Sequence, residues 1–178
     1  STICRLMKEA LEILEQIEID FEVNDAGENR TLLNDKDVEV EIRTMKVSNH
    51  VSEVSTISSI RKKLVEQQQQ IAVNKGVVMD GRDIGTVVLP NAELKIFMTA
   101  SIGTRTERRW LELKNKGVVL SKEEVRKNLE HRDYIDSSRE DSPLKQADDA
   151  ILLDTSNLTL EQQIQQIQHL VEKKVNPA

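Results

Sequence analysis

Three short apolar runs constrain the fold more than anything else in this sequence: Val77-Val78-Met79, Leu94-Lys95-Ile96-Phe97-Met98 and Ile151-Leu152-Leu153. None has the strict polar and apolar alternation of a sheet wetted on one side. Runs of this kind suit strands covered on both faces, as in a parallel sheet flanked by helices. Helical segments lie between and after them. Ser101 starts a helix to about Gly117, Ser121-Lys122-Glu123-Glu124 is a capping box opening a second, and Thr159-Leu160-Glu161-Gln162 caps a last one through Ile164, Ile167 and Leu170. The expected class is α/β.

The first third of the chain reads differently. Leu6, Ala10, Leu11, Leu14 and Ile17 recur at helical spacing and predict an amphipathic helix. Ile19, Phe21 and Val23 then alternate with acidic residues, Asn24-Asp25-Ala26-Gly27 supplies a turn, and Thr31 to Leu33 reads as the returning strand of a hairpin. Val38, Val40 and Ile42 alternate too, and periodicity leaves open a third strand or the lead into a helix. Ser58 or Ser59 is the expected cap of a helix running through Ile60, Leu64 and Ile71 to Gly76, with Gln67 to Gln70 on its solvated face.

Composition removes several function classes. The chain has 178 residues, enough for one domain with a small insertion. No apolar run approaches the roughly 18 residues of a spanning helix, so a membrane class is not expected. Aromatic residues make up 2% and the formal charge is -6, a poor match to a nucleic-acid polymer, which needs stacking platforms and a basic surface. Any anion site must be local. Cys4 is the only cysteine, so neither an intrachain disulfide nor a cysteine-based zinc site forms, in keeping with a cytoplasmic protein. The chain starts Ser1-Thr2-Ile3-Cys4-Arg5, with no initiator Met and no signal-peptide core, which suggests a fragment.

Three constellations carry candidate chemistry. Asp80-Gly81-Arg82-Asp83-Ile84-Gly85-Thr86 follows the expected strand Val77 to Met79. Ligands of open α/β sheets bind beyond the carboxyl ends of strands, and two glycines there let backbone approach a ligand. An ordinary turn with an ion pair is the alternative. Arg132, Asp136 and Arg139, at i, i+4 and i+7, share a helical face if the helix from Ser121 extends that far. Arg offers a planar fork to phosphate and Asp accepts from ribose hydroxyls; a surface Arg-Asp bridge accounts for the spacing equally well. Arg105, Arg108 and Arg109 lie on one face of the helix from Ser101, where only Glu107 and Glu112 are in reach to neutralise them. Movable positive charge is what phosphoryl transfer between two anions requires, although a solvated face is the plainer reading.

In order and surroundings these sets resemble the cytidylate kinase family. The likeness runs from Glu41-Ile42-Arg43-Thr44 through the stretch from Asp80 to Pro90, then Lys95-Ile96-Phe97, the Arg-rich helix, Arg132-Asp133 and Leu153-Asp154-Thr155. It implies a nucleoside-monophosphate-kinase-like parallel sheet flanked by helices, with a monophosphate-binding insertion over about 20–61 and a lid arm over about 101–121. It further implies that Ser52, Arg61 and Asp83 recognise cytosine, that Arg82 and Arg139 hold the α-phosphate, that Arg132 and Asp136 contact the sugar, and that Arg105, Arg108 and Arg109 close over ATP. Catalytic weight would fall on Arg82, Arg108, Arg109 and Arg139. The implied partners are CMP, dCMP and ATP with Mg2+, in a parent enzyme that is a monomer.

One part of the family pattern is missing. None of the six glycines is followed by Lys, so the phosphate-cradling G-x-x-x-x-G-K-[ST] is absent from these residues. The resemblance places that loop and the first strand before Ser1, so the expectation is an incomplete kinase domain, inactive alone, binding no metal tightly and self-associating through uncovered sheet. A non-catalytic nucleotide-binding or scaffolding module is the competing class, and a kinase acting on UMP is a third reading, which Ser52, Arg61 and Asp83 argue against.

Overall fold

A computed structural model describes residues 12–176, apart from the side chains of Met45, Ser48, Asn49 and Ser52. The chain divides into two compact units, Ser1–Val78 and Met79–Ala178.

In the first unit, residues 12–15 are helical, while 6–11 of the expected helix fall outside the described residues. The hairpin forms as the alternation predicts: β1 (Ile19–Val23) pairs antiparallel with β2 (Asn29–Leu33), Ile19 opposite Leu33 and Val23 opposite Asn29. Its turn is built by Asn24, whose Oδ1 accepts from the N–H groups of Ala26 and Glu28 at 3.0 and 2.9 Å. Gly27 there has φ 77°, a left-handed conformation that costs any residue with a Cβ. Strand β3 (Lys36–Asp37) follows a two-residue turn in which Asn34 and Asp35 both have positive φ, the tight hairpin geometry these residue types tolerate. The third strand thus lies just ahead of Val38, Val40 and Ile42, and Ile42 sits in a short 3-10 turn, Glu41–Arg43.

Helix α1 (Met45–Val54) is capped by Thr44, and α2 (Ser58–Ala72) follows. The expected serine cap of α2 is not made. Ile57 occupies the cap position without a side-chain bond, because the helix begins one residue before a serine hydroxyl would be placed to cap it. Gln69 and Gln70 are exposed, as expected of a solvated face, whereas Gln67 turns inward and its amide donates to the Ile17 carbonyl at 2.8 Å.

The second unit is α/β. Strands β4 (Ile96–Thr99) and β5 (Ile151–Asp154) pair in parallel, Ile96 opposite Ile151 and Thr99 opposite Asp154. Helices α3 (Ile102–Asn115), α4 (Lys122–Ser138) and α5 (Leu160–Val175) complete it, and α3 packs on α4. Both capping boxes read from sequence are present, at Ser121 with Glu124 and at Thr159 with Gln162. Val77 to Met79 is not a strand. A strand is held by its ladder partner, and among the described residues this run has none; Val78 is fully exposed. No described helix is long and apolar enough to cross a membrane.

A guanidinium cluster around a buried carboxylate

The interior of the second unit is partly polar. Asp83, Thr106, Asp136, Arg139 and Thr155 are buried alongside Val88, Leu113, Val125 and Leu153. Buried ionised groups survive only when paired, so their partners define the arrangement.

The stretch 80–90 is a wound loop. The Asp83 carbonyl accepts from the N–H groups of Thr86, Val87 and Val88 at 3.3, 2.9 and 3.2 Å, and Leu89 N–H donates to the Ile84 carbonyl at 2.7 Å. These bonds close a π-helical turn, Ile84–Val88, anchored by Val88 at 1% exposure. A side chain at Gly81 would put its Cβ 2.9 Å from Ile84 Cγ1, so the residue beside Arg82 needs to be small.

From this loop Arg82 reaches α4. Its Nε donates to Asp136 Oδ2 at 2.9 Å, and Arg139 Nη1 donates to Oδ1 of the same carboxylate at 3.4 Å. The Arg139 guanidinium is 3% exposed and also donates through Nε to the Ser142 carbonyl at 2.7 Å. Helix α4 does extend to Ser138, so Arg132, Asp136 and Arg139 share a face, with Arg139 capping its end. Arg132 lies one turn before Asp136. Its Nε is buried with no hydrogen-bond partner among the described residues, and burial, then the nearby Arg82 guanidinium, pull it below the usual arginine value. It remains a cation at neutral pH.

Two of the three arginines of α3, Arg105 and Arg108, find partners that spacing did not reveal. Arg105 donates to Asp133 of α4 at 2.6 Å and to the Ala100 carbonyl at 3.1 Å. Arg108 donates to Thr155 Oγ1 at 3.2 Å and to the carbonyls of Thr155 and Leu158 at 2.6 and 3.0 Å. Arg109 pairs with Glu112 at 2.7 Å. The expectation that only Glu107 and Glu112 could neutralise these three is therefore corrected: Asp133 serves Arg105, and Glu107 pairs with Lys122. Tertiary packing supplied acceptors from elements remote in sequence. The turn between α3 and α4 is fastened at Trp110, whose Nε1 donates to the Leu120 carbonyl and whose ring lies under the ammonium groups of Lys114 and Lys122 at 4.9 and 4.6 Å.

The structure thus joins Arg82, Asp136 and Arg139, with Arg132 beside them and Asp83 next to Arg82 in the same loop. Arg61 lies half-buried on α2 of the first unit, and the Ser52 side chain, on α1, lies outside the described residues. Asp133 and Thr155 were not assigned roles from sequence; the signal for them was only their place in the runs Arg132-Asp133 and Asp154-Thr155. Among the described residues no group of three or more His, Cys, Asp or Glu is placed to hold a metal ion, so no residue here is assigned to magnesium.

The sequence is similar to known proteins over almost its whole length. The family described as cytidylate kinase matches residues 4–173. A protein named cytidylate kinase from Flavobacterium johnsoniae is 56% identical over 170 residues, which cover 94% of this chain and 74% of that protein. One of the same name from Flavobacterium psychrophilum is 56% identical over 159 residues, covering 89% of this chain and 70% of the relative. A third, from Lactobacillus johnsonii, is 47% identical over 167 residues, covering 94% and 72%.

Proposed function

This chain belongs to the cytidylate kinase family, and from that membership we propose that it forms the nucleoside-monophosphate side of an enzyme transferring the γ-phosphoryl of ATP to CMP or dCMP. In that reaction a phosphate oxygen of CMP attacks the γ-phosphorus, the bond to the bridging oxygen of ADP breaks, and CDP and ADP leave. Little covalent chemistry falls to the protein; positioning and charge carry the rate.

The observation that carries this reading is the gathering of Arg82, Arg132 and Arg139 about one buried carboxylate, with the Arg132 Nε desolvated and lacking a hydrogen-bond partner among the described residues. Three guanidinium groups around a single carboxylate leave net positive charge where a nucleotide phosphate needs it. We assign Arg82 and Arg139 to the α-phosphate, and Arg132 and Asp136 to the sugar. Ser52, Arg61 and Asp83 are assigned to the cytosine edge. Arg105, Arg108 and Arg109 belong to a lid arm, about 101–121, that closes over ATP; about 20–61 forms the monophosphate-binding insertion. Kinases of this family work with ATP and Mg2+, and the ion enters with ATP in the complete enzyme.

A second reading is favoured by one specific feature. These 178 residues contain no G-x-x-x-x-G-K-[ST], so taken by themselves they bind nucleotide without turning it over. The protein on this view is cytoplasmic, engages no nucleic-acid polymer, and self-associates through exposed sheet.

Thermal melting with added nucleotide tests the proposal, since a ligand that binds only the folded state raises the midpoint by mass action. CMP raises it more than UMP or AMP, Asp83→Ala abolishes that ranking, and the 178 residues alone release no ADP from ATP on addition of CMP. Equal shifts with all three nucleotides, or a ranking indifferent to Asp83→Ala, would overturn the base-recognition assignment.

A further inference from the structure

Lys95 is an unusual residue to find immediately before β4. Its side chain is 8% exposed, yet it carries a charge and takes part in none of the contacts around Asp136. The ammonium is instead fully engaged elsewhere: Nζ donates to both Asp149 carboxylate oxygens, at 2.8 and 2.9 Å, and to the Pro90 carbonyl. Pro90 closes the loop 80–90, and Asp149 lies two residues before β5. The aliphatic stem has a second contact. A Cβ added at Gly85 would meet Lys95 Cδ at 3.4 Å and Cγ at 3.7 Å, so the middle of the loop rests on this stem while its end is tied to the head. The Lys95 backbone carbonyl meanwhile accepts from Ile151 N–H at 2.9 Å, opening the β4–β5 ladder.

One residue therefore touches the loop in two places and the sheet in a third. The loop carries Arg82, which reaches Asp136, and Asp83, whose carbonyl gathers three N–H groups. Resting on the nucleotide-site reading above, we infer that Lys95, held by Asp149, is a positioning residue: it sets the height of the 80–90 loop over the sheet and so places Arg82 and Asp83 for the nucleotide. Neither Lys95 nor Asp149 touches the ligand in this account. Asp149 aligns the ammonium, the ammonium fixes Pro90, and the stem runs beneath Gly85, within van der Waals reach of a Cβ placed there. A flexible loop anchored only at its ends would leave the two side chains free to drift, and loose support around a site costs specificity more than fold.

The test uses the 178-residue chain with Lys95→Met, which keeps a stem of similar length and removes the ammonium, and with Asp149→Asn, and measures CMP and UMP affinity by isothermal titration. Each variant is expected to weaken CMP binding about tenfold, the equivalent of one charge-assisted hydrogen bond, and to shrink the CMP over UMP ratio. The double variant should lose no more than either alone, because the two residues act as one unit. Hydrogen exchange of the Thr86, Val87 and Val88 amides should quicken in both. An unchanged CMP over UMP ratio, or additive losses in the double variant, overturns the inference even if the melting point falls, since general destabilisation does not alter a ratio of affinities. Should Lys95→Met fail to fold, Asp149→Asn still decides, because the Asp149 side chain is 65% exposed and its loss leaves no buried gap. A wild-type chain without CMP preference would instead refute the nucleotide-site reading, a result visible before any variant is made.

Discussion

At the scale of single residues, Asp136 is the point on which most depends. Its side chain is 5% exposed, bonded to a half-exposed Arg82 on one oxygen and to an almost fully buried Arg139 on the other. Removing the carboxylate takes an ion-pair partner from the buried Arg139 charge, and breaking a buried pair in this way costs roughly 3–5 kcal/mol. Asp136→Ala should therefore shift the urea midpoint far more than Arg82→Ala, whose guanidinium is open to water. Equal, small effects from the two substitutions would show that the pair is not a buried one energetically. The i, i+4, i+7 spacing of Arg132, Asp136 and Arg139 was legible because two of them lie on one helix and the third caps its end. Asp133 for Arg105, Thr155 for Arg108 and Asp149 for Lys95 were not, since these partners are 28, 47 and 54 positions apart and no local pattern links them.

At the scale of elements, local chemistry decided most boundaries. Ser121 Oγ accepts from Glu124 N–H at 3.2 Å, while Glu124 Oε2 accepts from Ser121 N–H and Oγ at 2.8 and 2.6 Å. The Ser121 hydroxyl and then its N–H hold the Glu124 carboxyl below its ordinary 4.5. A carboxyl whose pKa is lowered on folding contributes stability that is present above its unfolded value and is lost as pH falls through the folded one. The start of α4 should thus loosen as pH falls below 4.5, and Glu124→Gln should flatten that acid limb in urea titrations. Ser121→Ala, measured at pH 7, removes the cap and should cost about 1 kcal/mol. An acid limb unchanged by Glu124→Gln would place the sensitivity elsewhere. Strands behaved otherwise. The hairpin was read correctly because its partner strands are neighbours in sequence, whereas Val77 to Met79 looked like a strand by composition and lacks a ladder among the described residues.

At the scale of the whole molecule, apolar surface left open is the main feature. Met98, Ile151 and Leu152 of the two-stranded sheet are 49, 43 and 57% exposed, and Leu160, Ile164, Val171 and Val175 of α5 are 71, 47, 43 and 70% exposed. Uncovered apolar sheet and helix faces of this kind favour association. Light scattering should show species larger than a monomer as concentration rises, and Leu152→Lys should reduce them; a monodisperse monomer at high concentration would count against it. The α/β class, the capping boxes at Ser121 and Thr159, the hairpin turn and the family pattern followed from sequence alone, because each depends on residues within a few positions of one another or on a motif as dense as Asp80 to Pro90. Which arginine meets which acceptor, and which apolar run gains a ladder, was decided by the tertiary structure, because a buried charge or an open strand edge takes its partner from whatever packing brings within hydrogen-bond reach.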